Sequence, residues 1–273
     1  MGNESESIDT LKQGMRRKAI VRRKQVGESE RAQVGVRLGE LGASFLSGLS
    51  DETNRFNRPA SPNGSNASKR PYGPGRSDES DKSDSEDSTS GIEKVNDANG
   101  SNALCHIKAN GAAFDVKPGD TAAAYISMGT EIPTLGLLDQ LVKRRLRVLV
   151  PRLGTGRDIG WSEYAGESAL REMPHTATGG LRPAEPDGRV LGPRALADAK
   201  IVFIPAFAID LDGTRLGRGG GWYDRVLSLC RPDALKIGIC WDFEFIDRHD
   251  AVPREIHDIA VDAVITDRRI ITI

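Results

Sequence analysis

Residues 121–150 hold this chain to one class of fold. Thr121 to Met128 is a run of small and apolar residues suited to a strand buried on both faces. Pro133 to Arg144 carries Leu135, Leu138, Leu141 and Val142 at helical spacing, and Leu146 to Val150 is again branched and apolar. Strand, helix and strand within about thirty residues make a βαβ unit, which demands a parallel sheet and a right-handed crossover. Ligands of such sheets lie beyond the carboxyl ends of the strands, where Glu131 falls.

A second strand, Ile201 to Ile204 closed by Pro205, leads to the other informative stretch. A turn at Asp210 to Gly213 is followed by Arg215-Leu-Gly-Arg-Gly-Gly-Gly-Trp-Tyr-Asp224. Glycines at 217, 219, 220 and 221 remove the side chains that would hold a ligand off the backbone N–H groups, and Arg215 and Arg218 add guanidinium forks for phosphate. Neither G-x-G-x-x-G nor G-x-x-x-x-G-K-[ST] fits residues 213–224, so the loop is not one of the common nucleotide fingerprints. Most glycine-rich loops are only turns. Here Trp222 and Tyr223 add planes for a ring, and Asp224 adds a carboxylate suited to magnesium.

Upstream, residues 6–26 read as a helix with Ile8, Leu11, Met15 and Ala19 as its buried stripe, and Lys12 and Arg16 one turn apart on another face. Ser29 to about Leu46 reads as a second helix, weakened by Gly35, Gly39 and Gly42 and therefore dependent on packing. From about 49 to 110 the branched residues give way to Ser, Asn, Asp, Gly and Pro, a composition that predicts a disordered insertion. The expected organisation is thus N-terminal helices at 1–48, the insertion at 49–110 and an α/β core at 111–273: one domain with a mostly parallel Rossmann-like sheet flanked by helices.

Charge and cysteine content narrow the function classes. Lys plus Arg number 38 against 39 for Asp plus Glu, so bulk attraction to nucleic acid or membrane is not expected. Cys105, Cys230 and Cys240 are odd in number and lack a metal-ligand spacing, which suits a reducing compartment. With no membrane-length apolar run, a cytoplasmic monomer is expected, although the arginine-rich residues 16–23 leave organelle targeting open. Residues 154–192 read as a loop-rich cover in which Trp161 and Tyr164 pack, and His257 reads as structural.

The run Arg215 to Asp224 closely resembles the signature of 5-formyltetrahydrofolate cyclo-ligases, also called methenyltetrahydrofolate synthetases. The resemblance extends through Tyr125-Ile-Ser-Met-Gly-Thr-Glu131, Val148-Leu-Val-Pro151, Glu185-Pro186, Val202-Phe-Ile-Pro205 and Val252-Pro-Arg-Glu-Ile-His-Asp258. Asp158-Ile-Gly-Trp161 and Leu191-Gly-Pro193 are similar to the actinobacterial branch. The resemblance implies ATP- and magnesium-dependent cyclisation of 5-formyltetrahydrofolate. It implies that Lys12, Arg16, Arg215, Leu216, Gly217, Arg218, Gly219, Gly220, Gly221, Trp222 and Tyr223 bind ATP, and that Asp224 and Asp258 hold Mg2+. Ile126, Glu131 and residues 218–222 would meet the folate, with Arg218 neutralising charge on the transferring phosphate. Trp222 replaces the family's usual tyrosine, keeping a stacking plane and losing a hydroxyl. Two other readings stand beside this one: a paralogue that binds nucleotide without cyclising folate, and an interaction protein with a vestigial core.

Overall fold

The computed structural model describes residues 7–56, 108–109, 112–153, 159–175 and 181–273. The expected insertion lies outside the described residues from 57 to 107, and Cys105 with it. The helices are α1 (Ile8–Gln25), α2 (Glu28–Phe56), α3 (Leu135–Lys143) and α4 (Trp222–Leu227). The strands begin with β1 (Lys108–Ala109), β2 (Ala112–Ala113), β3 (Thr121–Ala123), β4 (Arg147–Leu153), β5 (Ile159–Glu163), β6 (Leu170–Arg171) and β7 (Glu185–Pro186). They continue with β8 (Ala199–Pro205), β9 (Ala208–Asp210), β10 (Arg215–Leu216), β11 (Leu235–Ile239), β12 (Phe245–Ile246), β13 (Ala263–Ile265) and β14 (Ile270–Thr272). None of the described helices is long and apolar enough to cross a membrane.

The central sheet has seven strands in the order β14-β13-β11-β8-β3-β4-β5. Its inner neighbours all pair in parallel, while β14 and β5 close the edges antiparallel. Counting only the parallel strands in chain order, the arrangement is 2-1-3-4-5, a doubly wound sheet whose strand order reverses between β3 and β8. Alternation along each strand explains why both faces are apolar. Ile201 and Phe203 of β8 enter the core beneath α2 and α3, whereas Val202 and Ile204 enter a second core with Leu196, Trp161 and Val226.

The glycines that weaken α2 turn out to be the contact with α3. A Cβ on Gly39 would lie 2.8 Å from the Gly136 carbonyl oxygen, and one on Gly136 would lie 2.5 Å from that of Gly35. Close approach of two helices therefore replaces the lost propensity. α2 also runs past the expected Leu46, because Leu49 continues the buried stripe, and it reaches Phe56 within the stretch assigned to the insertion.

Some strands differ from expectation as well. β3 ends at Ala123 instead of Met128, since Thr134 and Ser127 hydrogen-bond each other's backbone N–H groups and the Thr134 hydroxyl donates to the Tyr125 carbonyl at 2.6 Å. Those side-chain bonds replace the ladder and turn residues 125–128 away from the sheet while keeping them largely buried. The loop-rich 154–192 segment contributes β5 and the β6–β7 pair, because alternation around the buried Trp161 was masked by neighbouring glycines. Trp161 and Tyr164 pack as expected, the Tyr164 hydroxyl donating to Asp139 at 2.9 Å.

Candidate active site

Strand order places the site. Chain segments leaving β3 and β8 diverge at the reversal, and the cleft between them lies at the strands' carboxyl ends. A cavity of about 550 Å³ occupies that position, and every site residue expected from the sequence lines it. Glu131 arrives from the turn after β3, and Phe207 follows β8.

The glycine-rich loop is mounted on the β9–β10 hairpin, where Ile209 pairs with Arg215. Gly213 turns this hairpin at φ 70°, and a Cβ there would lie 2.4 Å from the Val261 carbonyl oxygen. Gly219 and Gly221 take φ values of 95° and 58°, conformations that a side chain would strain. Among the described residues, the amides of Arg218, Gly219 and Gly220 donate to no protein acceptor. A loop with free N–H groups suits an anionic ligand.

α1 supplies the opposite wall, and the expected stripe holds only in its second half, where Met15 and Ala19 pack against Phe207 and Leu216. Ile8 and Leu11 are 45 % and 40 % exposed, whereas Lys12 and Arg23 are buried with Ala19. The inward face meets carboxylates, so cations are buried there in pairs. Arg16 lies between the two elements: its Nε donates to the Gly217 carbonyl at 2.8 Å, and its guanidinium carbon packs 3.2 Å from where a Gly219 Cβ would be.

Most of the expected anion-binding cations already hold a carboxylate. The Lys12 ammonium donates to Glu255 at 2.6 Å and to Asp258 at 2.8 Å. Burial pulls the Lys12 pKa down, but the bonds and charges of Asp258 and Glu255 outweigh it and leave it raised. Burial pushes the Asp258 carboxyl up, yet Lys12 brings it below the ordinary carboxylate value. Arg215 donates to Asp224 at 2.5 Å, and Arg218 donates through Nε and Nη2 to Glu131 Oε1 at 3.1 and 3.0 Å. Glu131 is buried and its other oxygen accepts the Met128 N–H.

Two of the expected planes do not stand free. Trp222 packs against Trp161 with ring centroids 5.6 Å apart and against Tyr223 at 4.8 Å. Burial, with the Glu131 charge adding to it, raises the Tyr223 hydroxyl pKa, which keeps the phenol neutral.

The expected metal pair is only half assembled as a cluster. Asp258 shares ligand-forming atoms within 4.8 Å with Glu255 and His257, while Asp224 is tied to Arg215 elsewhere on the wall. His257, read as structural from the sequence, is an exposed rim residue instead, with Nε2 4.0 Å from Asp258. Glu255 and Arg23 were missed. The Glu-Ile-His-Asp spacing carried a signal for Glu255, whereas Arg23 sits in a basic helix end that reads as solvated.

Fold and site together define an α/β enzyme whose cleft joins cationic, acidic and aromatic groups at a strand-order reversal. The pattern of the 5-formyltetrahydrofolate cyclo-ligase family matches residues 111–267. A 5-formyltetrahydrofolate cyclo-ligase of Mycolicibacterium smegmatis is 34 % identical over 162 residues, spanning 55 % of this chain and 75 % of the relative. One of Escherichia coli K12 is 28 % identical over 153 residues, spanning 55 % and 79 %. Among solved structures, the 5,10-methenyltetrahydrofolate synthetase of Aquifex aeolicus superposes with a TM-score of 0.54 at 21 % identity, covering 96 % of this chain and 92 % of that one. That of Mycoplasma pneumoniae gives 0.52 at 15 % identity, covering 94 % and 99 %. This chain belongs to the 5-formyltetrahydrofolate cyclo-ligase family.

Proposed function

We propose that the protein converts 5-formyltetrahydrofolate to 5,10-methenyltetrahydrofolate, consuming ATP and releasing ADP and phosphate. One observation carries this reading. A single cleft brings together a loop with free amides, the side chains of Lys12, Arg16, Arg215 and Arg218, and the buried Glu131 carboxylate. Such a set suits phosphoryl transfer to a heterocycle, where positioning and charge stabilisation supply most of the catalysis.

In this reading Lys12, Arg16, Arg215 and residues 216–223 hold the phosphates of ATP. Ile126 and the loop face the folate, and Glu131 accepts hydrogen bonds from N–H groups of the pterin ring. The formyl oxygen attacks the γ-phosphorus, the bond to the β–γ bridging oxygen breaks, and ADP leaves. Arg218 neutralises the phosphorylated formyl group. N10 then adds to the formyl carbon and gives up its proton to water, the phosphate departs with the C–O electron pair, and the ring closes as the methenyl cation. The donors Glu255, His257 and Asp258 are a set that fits a divalent cation, and Asp224 lines the same cleft. When bound, Mg2+ would neutralise phosphate charge. The reading places the enzyme in the cytoplasm as a monomer.

The test mixes purified protein, 5-formyltetrahydrofolate and MgATP and follows the ultraviolet absorbance of the methenyl product. Growth that needs every component supports the reading. Binding of ATP without any growth overturns it in favour of a non-cyclising paralogue.

A further inference from the structure

Glu131 has a limited capacity to accept hydrogen bonds, and the loop arginine already uses part of it. Oε1 accepts both Arg218 Nε and Arg218 Nη2, filling its two lone-pair positions, while Oε2 accepts the Met128 N–H. The carboxylate side chain is 5 % exposed, so water cannot replace a donor freely. Arg218 is different. Its side chain is 52 % exposed and flanked in the chain by Gly217 and Gly219, and its ring contact, with Phe207, is a distant 5.9 Å, so it can leave Glu131 with little resistance from packing. Beyond it lie the free amides of the loop and the guanidinium of Arg16 against Gly219. Arg16 has no carboxylate partner among the described residues, which leaves that part of the wall cationic.

We propose that Arg218 is a latch released by the heterocycle: a ligand presenting paired N–H groups to Glu131 displaces Arg218, and the freed guanidinium turns to the phosphate-binding wall. This deepens the function proposed above and rests on its assignment of Glu131 to the pterin ring. Before release, the latch ties up one cation of the phosphate site. After release, the same cation strengthens nucleotide binding, so phosphoryl transfer is armed only when an acceptor is present. Linkage makes the coupling reciprocal, and nucleotide must raise folate affinity by the same factor. Breaking one half-exposed ion pair sets its size at roughly 3- to 10-fold.

The experiment uses the full chain, magnesium and the non-hydrolysable analogue β,γ-imido-ATP, with affinities read by calorimetry. For the unmodified protein, 5-formyltetrahydrofolate should tighten analogue binding by roughly 3- to 10-fold. With folate absent, Glu131→Gln should bind the analogue more tightly than the unmodified protein by a similar factor, because Arg218 is free. In an Arg218→Met background, Glu131→Gln should change nothing. Unchanged analogue affinity in Glu131→Gln overturns the latch. So does an equal gain in the Arg218→Met background, which would mean that the charge at 131 acts on nucleotide directly. The folate-free arms test the latch even if 5-formyltetrahydrofolate fails to bind in its own titration, an outcome that would instead sink the proposed reaction.

Discussion

Replacing Glu244 by glutamine should destabilise the protein more than any change at the cleft surface. Arg23 and Glu244 are each 3 % exposed, and they join α1 to the turn after β11. Arg23 Nε donates to Glu244 Oε1 at 2.6 Å, Nη2 donates to Oε2 at 2.8 Å, and Nη2 also donates to the Ala206 carbonyl at 2.5 Å. Glutamine keeps the shape and removes the charge, which leaves a guanidinium buried without its counter-ion. Breaking one side of such a pair costs about 3–5 kcal/mol. For a domain of this size that is a fall of roughly 6–20 °C in Tm. Urea titration followed by circular dichroism reads the loss, and Trp241 fluorescence reports locally because its backbone N–H donates to Glu244 Oε2 at 3.1 Å. The double variant Arg23→Met with Glu244→Gln removes both charges and should regain at least about 2 kcal/mol of the single variant's loss. A single-variant loss below about 1 kcal/mol would refute the reasoning, and so would a double variant whose loss is the sum of the two singles.

Two further outcomes follow from geometry. Gly136→Ala should destabilise by about 1–3 kcal/mol in the same titration, since its Cβ would meet the Gly35 carbonyl at 2.5 Å; Gly14→Ala, with nothing within 4 Å, should stabilise by up to about 1 kcal/mol. The hydrogen bond that His249 Nδ1 donates to Asp212, and then the Asp212 charge, raise the His249 pKa above 6.5, so an NMR titration should place its midpoint there and Asp212→Asn should bring it back. Because the folded value is raised, this pair's contribution to stability is full below about pH 6.5 and is lost as pH rises through the folded value.

The sheet was legible because its evidence is local. Branched runs at Leu146 to Val150 and Ile201 to Ile204 announce strands, and the βαβ spacing announces their direction. The short edge strands β5 and β14 were not, since single strands among glycines and charges carry little periodicity. Membership of the cleft was legible too, through the loop and the Tyr125 to Glu131 run. What the chain does not spell out is pairing across the cleft. Lys12 reads as a solvated cation on a helix face until Asp258 and Glu255 are brought to it, and α1 looks like an ordinary amphipathic helix until Ile8 and Leu11 are found at the surface. Helical spacing reports which residues share a face, and only tertiary structure decides what that face meets.

The reach of α1 also sets an order in time. Lys12 meets Asp258 across 246 positions, and Arg23 meets Glu244 across 221. On the ribosome, the first helix is complete long before its counter-ions exist, so the sheet can begin to assemble while one wall of the cleft still lacks its partners. Contacts so distant in sequence are slow to form. A nascent chain therefore carries α1 without its counter-ions until Glu244, Glu255 and Asp258 have been made, with only β13 and β14 of the sheet still to follow.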